Sequence, residues 1–172
     1  IHGLSSEQAT RNVTIAIEEE CAGVFLINHD FEVEQFLPII REVRQRFPNM
    51  WIGVNFLAVT GKHAFPVLAK LEANGYRIDG YWADDARIDE TAATDEQPEA
   101  AEILEIKRDC GWGGLYFGGT AFKKQRAVKE VDFARSAGIA KRWMDVVMTS
   151  GPATGIETGT DKTRIFHKAV GS

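Results

Sequence analysis

Cysteine is scarce in this sequence, which contains only Cys21 and Cys110 among its 172 residues. The two cysteines do not form a Cys-x-x-Cys pair, and neither has the spacing to histidine that zinc sites use. The sequence therefore excludes a cysteine-based zinc site. Each cysteine lies just before a predicted strand, so we expect both to be reduced, buried thiols of a cytoplasmic protein.

Long apolar runs and excess positive charge are also missing. No stretch approaches the ~20 apolar residues of a membrane span, and no segment has the pattern of a signal peptide. Lys and Arg together number 20 against 25 for Asp and Glu, a formal net charge of −5. We therefore expect neither a nucleic-acid partner nor membrane insertion. The chain begins at Ile1 rather than Met, so we expect it to be part of a longer product.

What the sequence does contain is an alternation of short apolar runs with segments of helical spacing. Val24–Ile27 is a continuous apolar run, as expected of a strand buried on both faces, and Phe36, Ile40 and Val43 have helical spacing. The predicted strands are a remnant at Ile1-His2 and the ranges 24–27, 51–54, 78–82, 114–117 and 143–148. The predicted helices are 5–20, 34–47, 62–73, 99–109, 128–137 and a last one from 160.

This alternation predicts an α/β fold with a parallel sheet and right-handed crossovers. Either an open doubly wound sheet or a barrel fits the pattern. No Gly-x-Gly-x-x-Gly follows the first strand, so the dinucleotide-binding signature is absent. We favour a (β/α)8 TIM barrel, because nearly every strand ends in a polar or glycine cluster and a barrel gathers such clusters at one face. A complete barrel needs about 250 residues. We therefore expect residues 1–172 to form a single barrel domain with about six βα units visible and the last two lacking.

Three stretches resemble a group of bacterial TIM-barrel proteins related to the BtpA family. They are residues 23–57, GLYFGGTAFKKQR at 114–126 and DVVMTSGPATG at 145–155, and the resemblance covers the chain from Ile1 to about Gly171. The resemblance implies a TIM barrel whose remaining phosphate-side loops follow Ser172. It also implies two candidate functions. BtpA is named for photosystem I biogenesis, which suggests a non-catalytic assembly or stability factor, and some members carry an adenine phosphoribosyltransferase label.

The predicted barrel brings polar residues from several strand ends to one rim. Asn55 and Asp84 would orient a reacting group, and Asp84 would hold Mg²⁺ if that metal is used. His29 or Asp30 would act as acid or base. Asn28 would bind substrate through its amide. The alternative is that these loops are simply polar and that residues such as Asp30 cap helices.

A glycine-rich loop after the last predicted strand suits a phosphate, because it offers main-chain N–H groups before a helix. Its candidate phosphate-binding residues are Thr149, Ser150, Gly151, Thr154 and Gly155. Lys123, with Lys124 and Arg126 in the preceding loop, would neutralise the phosphate charge. The alternatives are a flexible turn and a solvated basic turn.

Residues 145–151 also come close to a phosphoribosyl-pyrophosphate loop. Only one acid is present, however, and Ser150 interrupts the Thr-Gly pair. Such loops also belong to open sheets, so the predicted barrel argues against this function.

The sequence therefore predicts an enzyme that binds a phosphorylated small molecule, either a sugar phosphate or a nucleotide-like compound, at the carboxyl ends of the strands. An assembly factor and a phosphoribosyltransferase are the alternatives. A six-stranded chain would expose its edge strands, so if these strands are the whole sheet we expect the chain to pair with a second copy.

Overall fold

Strands and helices alternate along the computed structural model, which describes residues 5–29, 31–123 and 125–171. The strands in these ranges are β1 (Gly23–Asn28), β2 (Trp51–Phe56), β3 (Gly80–Ala83), β4 (Leu115–Gly119) and β5 (Val146–Met148). The α-helices are α1 (Ser6–Glu18), α2 (Val33–Arg46), α3 (Gly61–Ala73), α4 (Pro98–Cys110), α5 (Phe133–Ala140) and α6 (Thr160–Val170). The strand predicted at Ile1-His2 lies outside the described residues.

The five strands form one parallel sheet in the order β1-β2-β3-β4-β5. Each strand therefore lies beside the strand that precedes it in the chain, and successive strands are added across the sheet in one direction. A doubly wound sheet reverses its strand order at a switch point, and no such reversal occurs among the described strands. The chain thus has the α/β architecture of a partial TIM barrel, in which all strand carboxyl ends lie on one rim.

The sheet separates a helix-covered core from an opposite aromatic face. Alternate side chains such as Leu26, Val54 and Tyr81 are buried in the main core. On the other face, the Phe25 ring packs edge-on against Trp51, Trp82 and Phe117, with ring centroids 5.1–5.7 Å apart. Glycine is required at position 53 of β2, because a Cβ atom there would lie only 2.3 Å from the Phe25 ring.

Arg44 of α2 is buried near the amino-terminal end of the sheet, where only 5% of it is exposed. Its guanidinium donates to the Asp79 carboxylate at 2.5 Å. It also donates to four main-chain carbonyls at 2.7–3.3 Å, those of Phe47, Pro48, Met50 and Arg77. One side chain therefore joins α2 to the segments that lead into β2 and β3.

Two aspartates, one just before β3 and one just before β5, bind the neighbouring strand through their carboxylates. The Asp79 carboxylate accepts the N–H of Ile52 at 2.9 Å, and the Asp145 carboxylate accepts the N–H of Tyr116 at 2.7 Å. In each case the carboxylate takes the place of a strand carbonyl. The predictions that strands begin at positions 78 and 143 are therefore wrong, since β3 begins at Gly80 and β5 at Val146.

Two further expectations need correction. Cys21 is exposed and Cys110 is only partly buried, because Cys21 lies in the turn before β1 and Cys110 is the last residue of α4, so neither is within a strand. The helix predicted over 128–137 is displaced towards the carboxyl terminus. A 3-10 turn at Glu130–Asp132 comes first, and α5 then continues through Gly138 to Ala140.

None of the helices in the described ranges is both long enough and apolar enough to cross a membrane. β1 and β5 form the edges of the described sheet. The expected pairing with a second copy stays a prediction.

We predict that Arg44→Met lowers the free energy of unfolding by about 3–5 kcal/mol, because it removes the donor to four main-chain carbonyls and leaves the largely buried Asp79 carboxylate with the exposed Arg77, at 2.7 Å, as its remaining ion pair. The matched control is Arg46→Met, which removes an exposed arginine from the last turn of the same helix and should change stability by less than about 0.5 kcal/mol. Urea unfolding measures both. Equal effects of the two substitutions would contradict this role of Arg44.

Candidate ligand cavity at the carboxyl ends of β4 and β5

A cavity of about 630 Å³ opens at the carboxyl ends of β4 and β5. Three segments surround it: the loop after β4, the loop after β5 and the first turn of α6. Its polar lining includes Lys123, Gln125, Ser150, Thr160 and Lys162. The parallel sheet places the loops side by side, so the two loops that the sequence analysis selected for phosphate binding do meet.

Lys162, in the first turn of α6, spans the two loops. Its Nζ donates to the carbonyl of Ala121 at 2.6 Å and to that of Ser150 at 2.8 Å. The ring centroid of Phe133 lies 4.7 Å from the same nitrogen. Within residues 5–29, 31–123 and 125–171, Lys162 has no carboxylate at ion-pair distance. Burial lowers the pKa of the Lys162 ammonium, because no counter-charge offsets the loss of water.

Sequence reasoning missed Lys162. The available signal was a lysine two residues after the start of a helix, where the helix dipole disfavours positive charge. A cation in that position indicates a stabilising interaction with groups outside the helix.

Side-chain hydroxyls of the glycine-rich loop form hydrogen bonds within that loop and to the loop after β4. Ser150 Oγ accepts the N–H of Lys123 at 2.7 Å and donates to the carbonyl of Gly151 at 2.9 Å. Thr149 Oγ1 donates to the carbonyl of Ala121 at 3.2 Å. A side chain at Gly151 would lie 2.1 Å from the carbonyl oxygen of Ile156, so only glycine fits there. Both hydroxyls therefore join the two loops in this structure.

The predicted phosphate-binding residues divide into two groups. Lys123, Ser150 and Gly151 line the cavity. Thr154 and Gly155 are exposed and are not among the lining residues, since the loop turns away at this point with a φ of +79° at Gly155. Lys124 lies outside the described residues.

The first turn of α6 offers main-chain donors to the cavity. Its N-cap residue, Gly159, makes no side-chain cap hydrogen bond, and Gly159, Thr160 and Asp161 all line the cavity. The first N–H groups of a helix have no partner within the helix. They carry part of the positive end of its dipole.

Arg126 also lines the cavity, but its charge is already paired. Its guanidinium makes a two-pronged contact with the nearly buried Glu90, with Nη1 to Oε1 at 2.7 Å. The hydrogen bond from Arg126 lowers the pKa of the Glu90 carboxyl. Lys123 and Lys162 are therefore the cavity lysines available to balance a ligand's negative charge.

Asn55 and Asp84 meet at the ends of β2 and β3, next to the cavity wall but not among the residues that line the cavity. Asn55 is 1% exposed, and its Nδ2 donates to the carbonyl of Trp82 at 3.0 Å and to Asp84 Oδ1 at 3.1 Å. Its Oδ1 is buried without a hydrogen-bond partner. Gln125 connects this pair to the cavity wall, because its Nε2 donates to the main-chain carbonyl of Asp84.

This geometry does not fit Mg²⁺ held between Asn55 and Asp84. Magnesium takes oxygen ligands, whereas Asn55 presents its amide nitrogen to the carboxylate. Within the part of the chain that the structure describes, no three His, Cys, Asp or Glu side chains come together as a metal site.

Two other predicted rim residues, Asn28 and His29, are not among the residues that line the cavity. Asn28 accepts the N–H of Leu57 at 2.7 Å and donates to the carbonyl of Phe31 at 2.9 Å, so its amide joins the ends of β1 and β2. His29 is exposed. Asp30 lies outside the described residues. The predicted substrate and acid–base roles of these three residues stay predictions.

Comparison with known proteins supports the fold alone. No protein-family model and no curated protein matches the chain, so the resemblance to the BtpA-like group stays a prediction. Among solved structures, the chain is similar to the 3,6-anhydro-D-galactonate cycloisomerase from Zobellia galactanivorans, with a TM-score of 0.61 and 15% sequence identity. The match covers 97% of this chain and 41% of that protein's chain. This chain thus spans less than half the length of its structural neighbour.

We predict that Lys162 makes stability depend on pH below its ordinary pKa of 10.5. Because its pKa is lowered in the folded chain, the unfolded chain binds more protons between the lowered value and 10.5. The free energy of unfolding should therefore rise as pH increases through that window. The readout is the difference in unfolding free energy between the native chain and Lys162→Arg, measured with urea at several pH values.

The control for this prediction is Lys168→Arg, which alters an exposed lysine near the end of α6. The difference in unfolding free energy between Lys168→Arg and the native chain should be the same at every pH. A difference for Lys162→Arg that is equally flat would show that Lys162 titrates as an ordinary exposed lysine.

Proposed function

We propose that this chain is part of a TIM-barrel enzyme that binds a phosphorylated small molecule in the cavity at the ends of β4 and β5. The observation that carries the proposal is Lys162, a partly buried cation that lines the cavity. It donates to two carbonyl oxygens and lies near the rings of Phe133 and Phe166, and among the described residues no carboxylate is at ion-pair distance from it. A phosphate placed beside it would supply the missing negative charge.

The surroundings of Lys162 suit an anion. Lys123 adds a second positive charge, and the first turn of α6 adds main-chain N–H groups. The acidic residues at the lining, Glu130 and Asp161, are both exposed to solvent, and Asp161 faces Arg164 at 3.4 Å. Their repulsion of a ligand is therefore screened by water, whereas the attraction of Lys162 is not.

An enzymatic role is supported by the position of the Asn55–Asp84 pair. Asp84 could accept or hold a proton beside the cavity, with Asn55 fixing the orientation of its carboxylate. Active sites of TIM barrels lie at this face of the sheet. The structural neighbour is a cycloisomerase and thus an enzyme, which agrees with this role without indicating the substrate.

The proposal predicts that ribose 5-phosphate and inorganic phosphate raise the melting temperature of the protein, whereas ribose does not. A ligand at 100 times its Kd adds about 2.7 kcal/mol of stability, which corresponds to a shift of roughly 5–11 °C for a domain of this size. Lys162→Met should abolish the shift. Thr154→Val, in the same loop region but away from the cavity, should leave it unchanged.

Two results would contradict the proposal. One is no shift with any phosphate compound. The other is a shift that persists in Lys162→Met, which would place the anion elsewhere on the protein. The unfolding temperature of Lys162→Met without ligand must first show that the variant is folded.

A further inference from the structure

We propose that Lys162 is a nucleophilic amine that forms an imine with a carbonyl group of the phosphorylated ligand. This inference rests on the proposed function and names its substrate class, a phosphorylated aldehyde or ketone. Lys123 and the first turn of α6 would hold the phosphate, and the carbonyl carbon would lie at Lys162 Nζ.

The hydrogen bonds of Lys162 also permit reaction through the neutral amine, which is in equilibrium with the ammonium that pairs with phosphate. A neutral amine has two N–H donors and one lone pair, whereas an ammonium has three donors and no lone pair. Two carbonyl acceptors lie within hydrogen-bond distance of Nζ, those of Ala121 and Ser150. With both N–H groups bonded, the lone pair of the neutral amine is left for a ligand in the cavity.

The charges around Lys162 also favour the neutral form. Lys123 lines the same cavity from the loop after β4, and a like charge disfavours a second cation. Glu130, before α5, and Asp161, on α6, are the acidic groups of the lining; both are exposed, and neither pairs with Lys162 within the described residues. Burial lowers the pKa of Lys162 in addition. The Phe133 ring favours the ammonium, so it limits this shift without supplying a counter-charge.

The cavity gives the reaction a partly open, partly apolar setting. Phe133 and Ile165 line it on the side of α5 and α6, and Phe122 lines it below. Lysines activated by desolvation in this way form Schiff bases with carbonyl substrates. In this step the amine nitrogen attacks the carbonyl carbon, the C=O oxygen leaves as water with two protons taken from nitrogen, and a C=N bond remains. No oxidant or reductant is consumed.

The test uses glyceraldehyde 3-phosphate with sodium borohydride, whose hydride reduces the imine to a stable secondary amine. We expect one adduct per chain, located at Lys162 by peptide mass spectrometry, at least tenfold more abundant than at any other lysine. Inorganic phosphate should protect Lys162. Glyceraldehyde without phosphate should label it at least tenfold less, and Lys162→Arg should lose the adduct.

The outcomes separate this inference from the proposed function. Labelling spread over exposed lysines such as Lys168, or absent from Lys162, overturns the imine. If Lys162 is not labelled but inorganic phosphate still raises the melting temperature of the native protein, the proposed phosphate binding stands and the imine does not. If phosphate neither protects Lys162 nor raises the melting temperature, the proposed function fails as well. A Lys123→Met variant should keep the trapped lysine but need more glyceraldehyde 3-phosphate for half-maximal labelling.

Discussion

The register of the sheet depends on side chains that complete hydrogen bonds at its amino-terminal edge. The Asp79 carboxylate binds the main chain of β2 and the buried Arg44 at once. The Asp145 carboxylate, just before β5, likewise accepts an N–H from the main chain of β4. Because parallel strands are paired in fixed register, the position of each strand at this edge determines which residues meet at the opposite one.

The functional rim follows from that register. The Asn55 amide reaches Asp84 because β2 and β3 end at the same level of the sheet. Ser150 accepts the N–H of Lys123 because β4 and β5 also end at one level. Lys162 then joins the last two loops to α6 through two carbonyls. Lys162 is thus a partly buried cation for which the described residues provide no anion at ion-pair distance, and this imbalance is the basis of the functional proposal.

The fold was predictable because alternating apolar runs and helical spacing are local properties of the sequence, and so was the meeting of the loops at 118–126 and 149–155. Lys162 was not predictable, since its importance comes from carbonyls 12 and 41 residues away. The starts of β3 and β5 lie two and three residues later than predicted. Asp79 and Asp145, just before these strands, bind the neighbouring strand through their carboxylates as well as through their main-chain N–H groups. Asn28 has the residue type expected of a ligand contact, yet its amide joins two strand ends.

The central claim is that the cavity around Lys162 binds phosphate. The most direct test is a titration of the ¹⁵N-labelled protein with inorganic phosphate, followed by amide NMR shifts. The account predicts that the amides of Gly151, Thr160, Asp161 and Lys162 shift together with one Kd, while exposed amides on α1 and α2 stay in place. Shifts confined to other parts of the chain, or no saturable shift, would contradict it.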